Sequence, residues 1–268
     1  MTPLVRRLSA TEMPLAKPLI DPEGWALEPP ELARLHSLGG AVGAFDAERL
    51  VGFLTFVDTP PYRWVGNVAV HPSQRGRGLG ATLVAEAFRD AERAALYSVA
   101  KAVTLYERAG LVAQGEVHAV RAERAKPSSI PYGGVRATTP DDADALVAYD
   151  RAVTGMDRSR LLRALLAAYP GRIAARHGEV LGYAIAKTYA DVTEIGPVVA
   201  QTPHAAWGLV DDILRATPGP HDMALHRLSP DAARRGFVPA FRAIPMFRGG
   251  APSWDLARYH AAAGLEKG

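Results

Sequence analysis

Residues 68–84 read VAVHPSQRGRGLGATLV, and the fold prediction starts from this stretch. Its first residues close a longer segment, 62–70, that predicts a strand ending at Pro72. A cluster of arginine and glycine follows. Apolar residues then return at four-residue spacing, which predicts an amphipathic helix over residues 78–94. The sequence therefore predicts a strand, a glycine-rich loop and a helix in direct succession.

A glycine-rich loop that opens a helix is suited to binding an anion. Glycines let the backbone approach a ligand and turn its N–H groups toward it. The helix N-terminus adds unpaired N–H donors and a partial positive charge. Arg75 and Arg77 can supply charge-assisted hydrogen bonds to phosphate oxygens. We therefore expect a pyrophosphate group at the start of the helix over 78–94.

Three common phosphate-binding and RNA-binding patterns do not fit this loop. No Gly-Lys-Ser/Thr follows, as a Walker A loop requires. Residues 76–80 read GRGLG, which lacks the G-x-G-x-x-G spacing of a dinucleotide fold. As an RNA-binding Arg/Gly segment the loop is too short and too closely framed by core elements.

The composition is that of an ordinary globular protein. The chain has 268 residues, 48% hydrophobic and 22% charged, and a formal net charge of +3 that is too small to indicate nucleic-acid binding. It contains no cysteine, which excludes disulfides, thiolate metal sites and a cysteine nucleophile. No stretch approaches the ~18 apolar residues of a membrane span. We expect a cytoplasmic protein without a membrane or nucleic-acid partner.

The sequence repeats itself. Val51-Gly52-Phe53 is echoed by Leu181-Gly182-Tyr183, and Val65-Gly66-Asn67-Val68 by Ile195-Gly196-Pro197-Val198, both at an offset of 130 (181 minus 51, 195 minus 65). Farther along, Leu83-Val84 matches 209–210 at an offset of 126 (209 minus 83). Matches in one order along the chain predict two copies of one domain. The change of offset means that copy two lost four residues inside the Arg/Gly stretch.

A Pro/Ser/Gly cluster at 126–134 is a plausible linker between the copies. We place the domains at 1–130 and 131–268. Copy two has QTPHAAWG at 201–208 where copy one has its Arg/Gly loop, so it lacks both the arginines and the glycine spacing. The order of predicted elements indicates a mixed α/β (α+β) domain with more strands than helices.

Three motifs together resemble the GNAT superfamily of N-acetyltransferases. They are the run Val68 to Pro72, the loop Arg75-x-x-Gly78-x-Gly80, and LYERAGL at 105–111. The resemblance covers about residues 40–120. It implies, for each copy, a mixed, mostly antiparallel twisted sheet flanked by helices, and it implies acetyl-CoA as cosubstrate, with no metal. In copy two, Ala232 stands at the position of Tyr106, so we expect copy two to be a degenerate domain that does not bind CoA.

The resemblance also implies roles for single residues. Tyr106 would protonate the departing thiolate, a task that fits a phenol because its pKa lies above that of a thiol. Two groups would bind the cofactor: a strand edge that pairs with the pantetheine arm, and a loop whose amides and arginines hold the pyrophosphate. These are Val68, Ala69 and Val70 for the strand, and Arg75, Gly76, Arg77, Gly78, Leu79, Gly80 and Ala81 for the loop.

In many proteins of the GNAT superfamily a glutamate on or near the central strand is the general base. Residues 62–70 contain no carboxylate, so the general base stays open. Asp58, His71, Glu116 and His118 are the candidates. We expect an acetyl-CoA-dependent N-acetyltransferase. Its acceptor would be a small molecule or peptide whose primary amine attacks acetyl-CoA directly. The alternatives are a non-catalytic acyl-CoA-binding regulatory module and an acyltransferase with another acyl-CoA. A monomer is favoured over a dimer, since the second copy can replace a partner.

Overall fold

A computed structural model describes residues 2–25, 27–189 and 191–268. The chain divides into two compact units that are not continuous in sequence. The first holds the residues up to Gly115, together with Ile244–Ala251 and Glu266–Gly268. The second holds Glu116–Ala243 and Pro252–Leu265. The division into sequence domains near residue 130 stays a prediction, because the compact units exchange segments across any single cut.

The first unit is a mixed, mostly antiparallel sheet flanked by helices. Its sheet order is β1-β2-β3-β4-β5, antiparallel except for the parallel pair β4–β5. The second edge of β5 pairs with residues 244–248. The strands are β1 (Leu4–Arg7), β2 (Gly39–Asp46), β3 (Arg49–Thr59), β4 (Tyr62–Val70), β5 (Arg93–Ser98) and β6 (Val112–Ala113). The helices are α1 (Lys17–Ile20), α2 (Pro29–Leu38), α3 (Leu79–Ala87) and α4 (Val103–Glu107).

The two faces of this sheet carry different helices. Leu54 and Val65 face α3 and form the main core cluster together with its Leu83. Since side chains alternate along a strand, Thr55 and Gly66 point to the opposite side. That side contacts α2, whose buried residues include Leu32 and Leu35.

The helix predicted over residues 78–94 is shorter in the structure. It ends at Ala87, and Arg93–Ser98 forms β5 instead. The Arg248 guanidinium donates to the Phe88 carbonyl at 3.0 Å and the Ala91 carbonyl at 3.3 Å, so it caps backbone that a longer helix would have paired internally. The predicted helix is too long because the pairing of β5 with β4 and residues 244–248 outweighs local helix propensity.

The second unit repeats this architecture. Its sheet order is β13-β7-β12-β14-β11-β10-β9-β8. The strands are β7 (Val117–Ala122), β8 (Val135–Ala137), β9 (Gly171–Arg176), β10 (Glu179–Tyr189), β11 (Val192–Ala200), β12 (His221–Leu225), β13 (Val238–Arg248, of which 238–243 lie in this unit) and β14 (Tyr259–Ala261). The helices are α5 (Ala143–Thr154), α6 (Ser159–Ala168), α7 (Pro203–Ala216) and α8 (Pro230–Arg234).

The predicted tandem repeat is confirmed by the structure. The repeated triplets lie on β3 and β10, and the repeated VGNV and IGPV motifs on β4 and β11. The helix stop recurs as well: Gly110 and Gly236 are left-handed at φ 82° and 87°. In each copy the next N–H reaches back to a helix carbonyl at 3.1 Å, from Leu111 to Tyr106 and from Phe237 to Ala232.

The last strands of the two copies are exchanged. Residues 244–248, which belong to copy two, pair with β5. The equivalent strand of copy one, β7, pairs instead with β12. The 126-residue offset relates the two, since 248 minus 126 is 122, the last residue of β7. Each sheet is therefore completed by a strand from the other copy.

Candidate active site

The central strands of the first unit separate beside the glycine-rich loop. β4 and β5 pair from Tyr62 with Arg93 to Val65 with Leu96, and among the described residues the pairing stops there although both strands continue. Residues 66–70 of β4 therefore keep β3 as a neighbour on one edge only. A strand edge of this kind can pair with an extended ligand through its backbone groups.

A β-bulge lies at the start of this open edge. Thr55 pairs with Gly66 and Phe53 pairs with Ala69, so two residues of β4 oppose the single Leu54. One of the two, Asn67, has a left-handed φ of 55°, and its side-chain amide donates to the Thr55 hydroxyl at 2.9 Å. The bulge turns the strand away from β5 and opens the gap.

The predicted phosphate loop has the backbone that its glycines suggest. Gly76 and Gly78 are both left-handed, at φ 76° and 80°, and Gly78 is the N-cap of α3. A Cβ atom at either position would meet nothing within 4 Å, so φ rather than space requires glycine here. Within the described residues, the first N–H of α3 to reach a helix carbonyl is that of Thr82, onto Gly78 at 3.1 Å. The N–H groups that precede it at the start of α3 lie outside the helical hydrogen-bond ladder, as at any helix N-terminus, and can donate to an anion.

The two arginines of the loop differ. Arg77 is exposed and makes one long contact, 3.4 Å, with Gln74. Arg75 donates through Nε to the Val70 carbonyl at 2.8 Å and through its terminal nitrogen to Glu23 at 2.6 Å. The structure thus leaves Arg77 available to a ligand, whereas Arg75 is occupied at the end of the open edge.

Tyr106 lies on α4 and packs into the core cluster on the α3 side of the sheet. Its side chain is 7% exposed, and its hydroxyl has no hydrogen-bond partner among the described residues. Burial raises the pKa of Tyr106 to about 12, so the phenol carries its proton throughout the neutral range. Leu105, the preceding residue, lies against Gly80 and so places α4 beside the start of α3.

Two of the proposed bases are occupied in the first unit. Both Asp58 oxygens accept from Arg63, at 2.6 and 3.1 Å. His71 contacts the Ser73 hydroxyl through Nδ1 at 2.8 Å and the Arg49 guanidinium through Nε2 at 2.9 Å. Nδ1 also accepts from the Ser73 backbone N–H at 3.3 Å, so both ring nitrogens have partners. His71 therefore serves as a turn residue.

The other two proposed bases, Glu116 and His118, belong to the second unit. Glu116 accepts from Arg242 at 3.1 Å, and its second oxygen lies 4.0 Å from the His118 ring. The two residues are neighbours, as their alternation on a strand predicts.

Sequence reasoning missed a buried charge cluster in the first unit. Lys267 is fully buried, and its ammonium lies 2.9 Å from a Glu31 carboxylate oxygen; Glu31 is 2% exposed. Arg34 also pairs with Glu31, and Glu266 with Lys267. The signal that could have revealed this cluster is the glycine at position 66, since a glycine within a strand often marks the close approach of another backbone.

In the second unit the chain itself fills the corresponding gap. β11 and β12 pair only at Thr193 with His221 and Glu194 with Asp222 before they separate. β14 lies between them: Ala261 pairs with both Val198 and Leu225, and Tyr259 pairs with Val199. The Ala200 N–H adds a bond to the Arg258 carbonyl at 2.9 Å. At the offset of 130, positions 198–200 correspond to 68–70, which are open in the first unit.

A buried ion pair anchors β14 in this gap. Arg158 forms a two-bond pair with Asp150, at 3.0 and 2.6 Å, and donates to the Tyr259 hydroxyl at 2.6 Å. The three side chains are at most 2% exposed. The His226 ring packs against Tyr259 at a tilt of 49° with centroids 4.4 Å apart, and burial lowers the pKa of His226 to about 3. The hydrogen bonds among Arg158, Asp150 and Tyr259 hold β14 in place.

No helix in the described ranges combines the length and apolar character needed to cross a membrane.

Comparisons with known proteins agree with this architecture. Residues 7–111 match the acetyltransferase (GNAT) family, and residues 146–255 match an acetyltransferase (GNAT) domain. A holothin acyltransferase from Pseudoalteromonas sp. (strain SANK 73390) is 25% identical over 225 residues, which cover 78% of this chain and 74% of the relative.

Two solved structures are similar over nearly the whole chain. A candidate acetyltransferase from Pyrococcus horikoshii superimposes with a TM-score of 0.81 at 17% identity and covers 100% of this chain and 96% of its own. A tandem GNAT protein from the clavulanic acid biosynthesis pathway gives a TM-score of 0.62 at 15% identity, covering 94% of this chain and 99% of its own. At these identities the likeness supports the fold alone.

Proposed function

Because the chain belongs to the GNAT family of acyltransferases and carries two copies of its domain, we propose that it transfers an acetyl group from acetyl-CoA to a primary amine. We place the reaction in the first unit and propose that the second unit binds no acyl-CoA. The observation that carries this proposal is the contrast between the two gaps: the edge 66–70 is open, whereas the edge 198–200 is paired with β14.

The cosubstrate would lie along the open edge and end at the start of α3. The N–H groups from Gly76 to Ala81 would bind the pyrophosphate, and Arg77 would add a charge-assisted hydrogen bond. Residues 68–70 would pair with the pantetheine arm. The phosphate end lies beyond Val70, so the arm would run back along β4 and its sulfur would reach the bulge at Asn67.

In the reaction the neutral amine attacks the thioester carbonyl, a C–N bond forms and the C–S bond breaks. The departing thiolate would accept a hydrogen bond from the Tyr106 hydroxyl. With a pKa of about 12 the phenol holds its proton more tightly than a thiol does, so the stabilisation comes from this hydrogen bond as charge develops on sulfur. Transfer of that proton to sulfur is completed as solvent returns one to the phenol oxygen, and solvent also takes up the proton that the newly acylated nitrogen loses.

The acceptor and the acyl group are the finer points of the proposal. The relative named holothin acyltransferase supports acyl transfer in general. An acyl-CoA-binding module without turnover is the second candidate, and the absence of a carboxylate from Tyr62–Val70 favours it.

The proposal is tested by titration and by turnover. Isothermal titration of the full chain with acetyl-CoA should give one site per chain, and two sites would contradict the assignment to the first unit. Thiol release and mass detection of the acetylated product should then be measured over a panel of amines, including glucosamine, putrescine, a peptide with a free N-terminus and holothin. Tight binding without product across the panel would favour the binding module.

A further inference from the structure

Residue 266 brings a carboxylate to β4, the central strand of the first unit. Gly66 points to the side of the sheet opposite α3, and Glu266 lies directly on it. A Cβ atom added to Gly66 would lie 2.4 Å from the Glu266 Cβ and 2.6 Å from its Cα. Glycine at position 66 is therefore what lets residues 266–268 pack against β4. The carboxylate missing from the sequence 62–70 is supplied from 200 positions farther along the chain.

Position 66 is where the open edge begins. The last β4–β5 pair is at Val65, and the bulge follows at Asn67. The cosubstrate's reactive end would lie at this point, as argued above from the position of the phosphate loop. Glu266 lies on the α2 side of the sheet and Tyr106 packs on the α3 side. An amine reaching the thioester from the α2 side would thus meet Glu266 first.

The surroundings of Glu266 keep one oxygen available. Its side chain is 17% exposed, and one oxygen pairs with the Lys267 ammonium. The other oxygen has no hydrogen-bond partner among the described residues. Lys267 in turn bridges to Glu31, which also pairs with Arg34, so charges alternate along the cluster. A fixed carboxylate with a free oxygen can accept a proton, directly or through one water.

We propose that Glu266 is the general base of the amine acetylation, an assignment that rests on the proposed function. The acceptor binds as an ammonium ion and gives one proton to the Glu266 carboxylate. The neutral nitrogen then forms the C–N bond as the C–S bond breaks. The tetrahedral nitrogen loses its remaining extra proton to solvent, the thiolate is protonated, and Glu266 returns its proton to bulk water. Asp58 and His71, the other candidates in this unit, are held by Arg63 and by Arg49.

The test compares Glu266→Gln and Glu266→Asp with wild type, and uses Glu48→Gln, an exposed residue of the β2–β3 turn, as the matched control. Each protein is first titrated with acetyl-CoA, and its thermal unfolding is recorded. Turnover is then measured from pH 6 to 9 with two acceptors: the best amine of the panel that is an ammonium ion at pH 7.5, and hydroxylamine, which is already neutral there.

We expect Glu266→Gln to bind acetyl-CoA within twofold of wild type and to lose about 10²-fold in kcat/KM with the ammonium acceptor at pH 7.5. Its rate should rise about tenfold per pH unit, because only the neutral fraction of the amine reacts. Glu266→Asp should recover part of the activity. With hydroxylamine the loss should be at most a few-fold. A purely structural role would lower activity equally with both acceptors and would leave the shape of the pH profile unchanged.

The outcomes separate the two proposals. If wild type acetylates amines and Glu266→Gln keeps its rate and pH profile, only the assignment of Glu266 is wrong. An equal loss with both acceptors also overturns it. If wild type binds acetyl-CoA and acetylates no amine, the transferase proposal fails and the base assignment fails with it.

Discussion

Replacing Lys267 with methionine should destabilise the first unit strongly. The variant removes an ammonium that lies 2.9 Å from Glu31, while methionine fills much of the space of the buried stem. Breaking a buried ion pair by removing one partner costs about 3–5 kcal/mol, because the other charge stays buried without compensation. Arg34 still pairs with Glu31 and is itself 18% exposed at the side chain, which places the expected cost near the lower end, about 3 kcal/mol.

That cost should be visible as a thermal shift. For a unit of this size, about 3 kcal/mol corresponds to a fall of roughly 10 °C in the unfolding midpoint. Calorimetry at pH 7.5 should resolve it, with Lys101→Met, an exposed lysine of the same unit, as the control. The double variant Lys267→Met with Glu31→Gln should recover most of the loss, since it also removes the Glu31 charge that has lost its lysine partner. A midpoint equal to wild type, or a double variant no more stable than Lys267→Met, would refute the reasoning.

The other expectations concern both units. Gly78→Glu should abolish acetyl-CoA binding in a titration while the far-ultraviolet dichroism is unchanged. The variant puts a negative charge into the phosphate loop, and a non-glycine residue in the left-handed conformation of position 78 costs about 1–2 kcal/mol. Tyr106→Phe should lower kcat with little effect on acetyl-CoA affinity. Because the pKa of Tyr106 is about 12, wild-type activity should show no alkaline loss from this group below about pH 10. Full activity of the variant when chemistry limits the rate would rule out the acid role. The pKa of His226 is about 3 in the folded protein against an ordinary 6.5, so the unfolded chain takes up a proton first as the pH falls. The free energy of unfolding, measured by denaturant titration, should therefore drop by ~2 kcal/mol from pH 7.5 to 5. His226→Phe should lose this dependence. Tyr259→Phe should cost about 1–3 kcal/mol because it removes the hydroxyl that accepts a buried hydrogen bond from Arg158. An unchanged denaturation midpoint would contradict the anchoring of β14.

Local signals in the sequence were sufficient for the elements around the phosphate loop. The strand over 62–70 was predicted with the bounds of β4, and the helix was predicted to begin beside Gly78, which is its N-cap. A left-handed helix stop at Gly110 fits the local sequence, since apolar Leu111 follows the glycine directly. These features depend on residues a few positions apart, so a linear pattern carries them.

The features that a linear pattern could not carry depend on distant contacts. β14 has three residues, too few for any periodicity, and its place between β11 and β12 is set by tertiary pairing. The pairing of Lys267 with Glu31 joins positions more than 200 residues apart. The repeated glycines Gly66 and Gly196 are the local trace of these distant contacts. A Cβ at Gly66 would meet Glu266, and a Cβ at Gly196 would lie 2.1 Å from the Ala262 carbonyl oxygen.

The exchanged strands have a consequence for biosynthesis. While the ribosome is still making the second copy, β5 of the first unit has one bare edge, because residues 244–248 have not yet emerged. Bare strand edges invite pairing with other chains. We expect the nascent chain to be open to such pairing after residues 75–80 are already synthesised, and a chaperone that shields β5 at that stage should improve yield. Expression of residues 1–130 alone would leave β5 without residues 244–248 throughout.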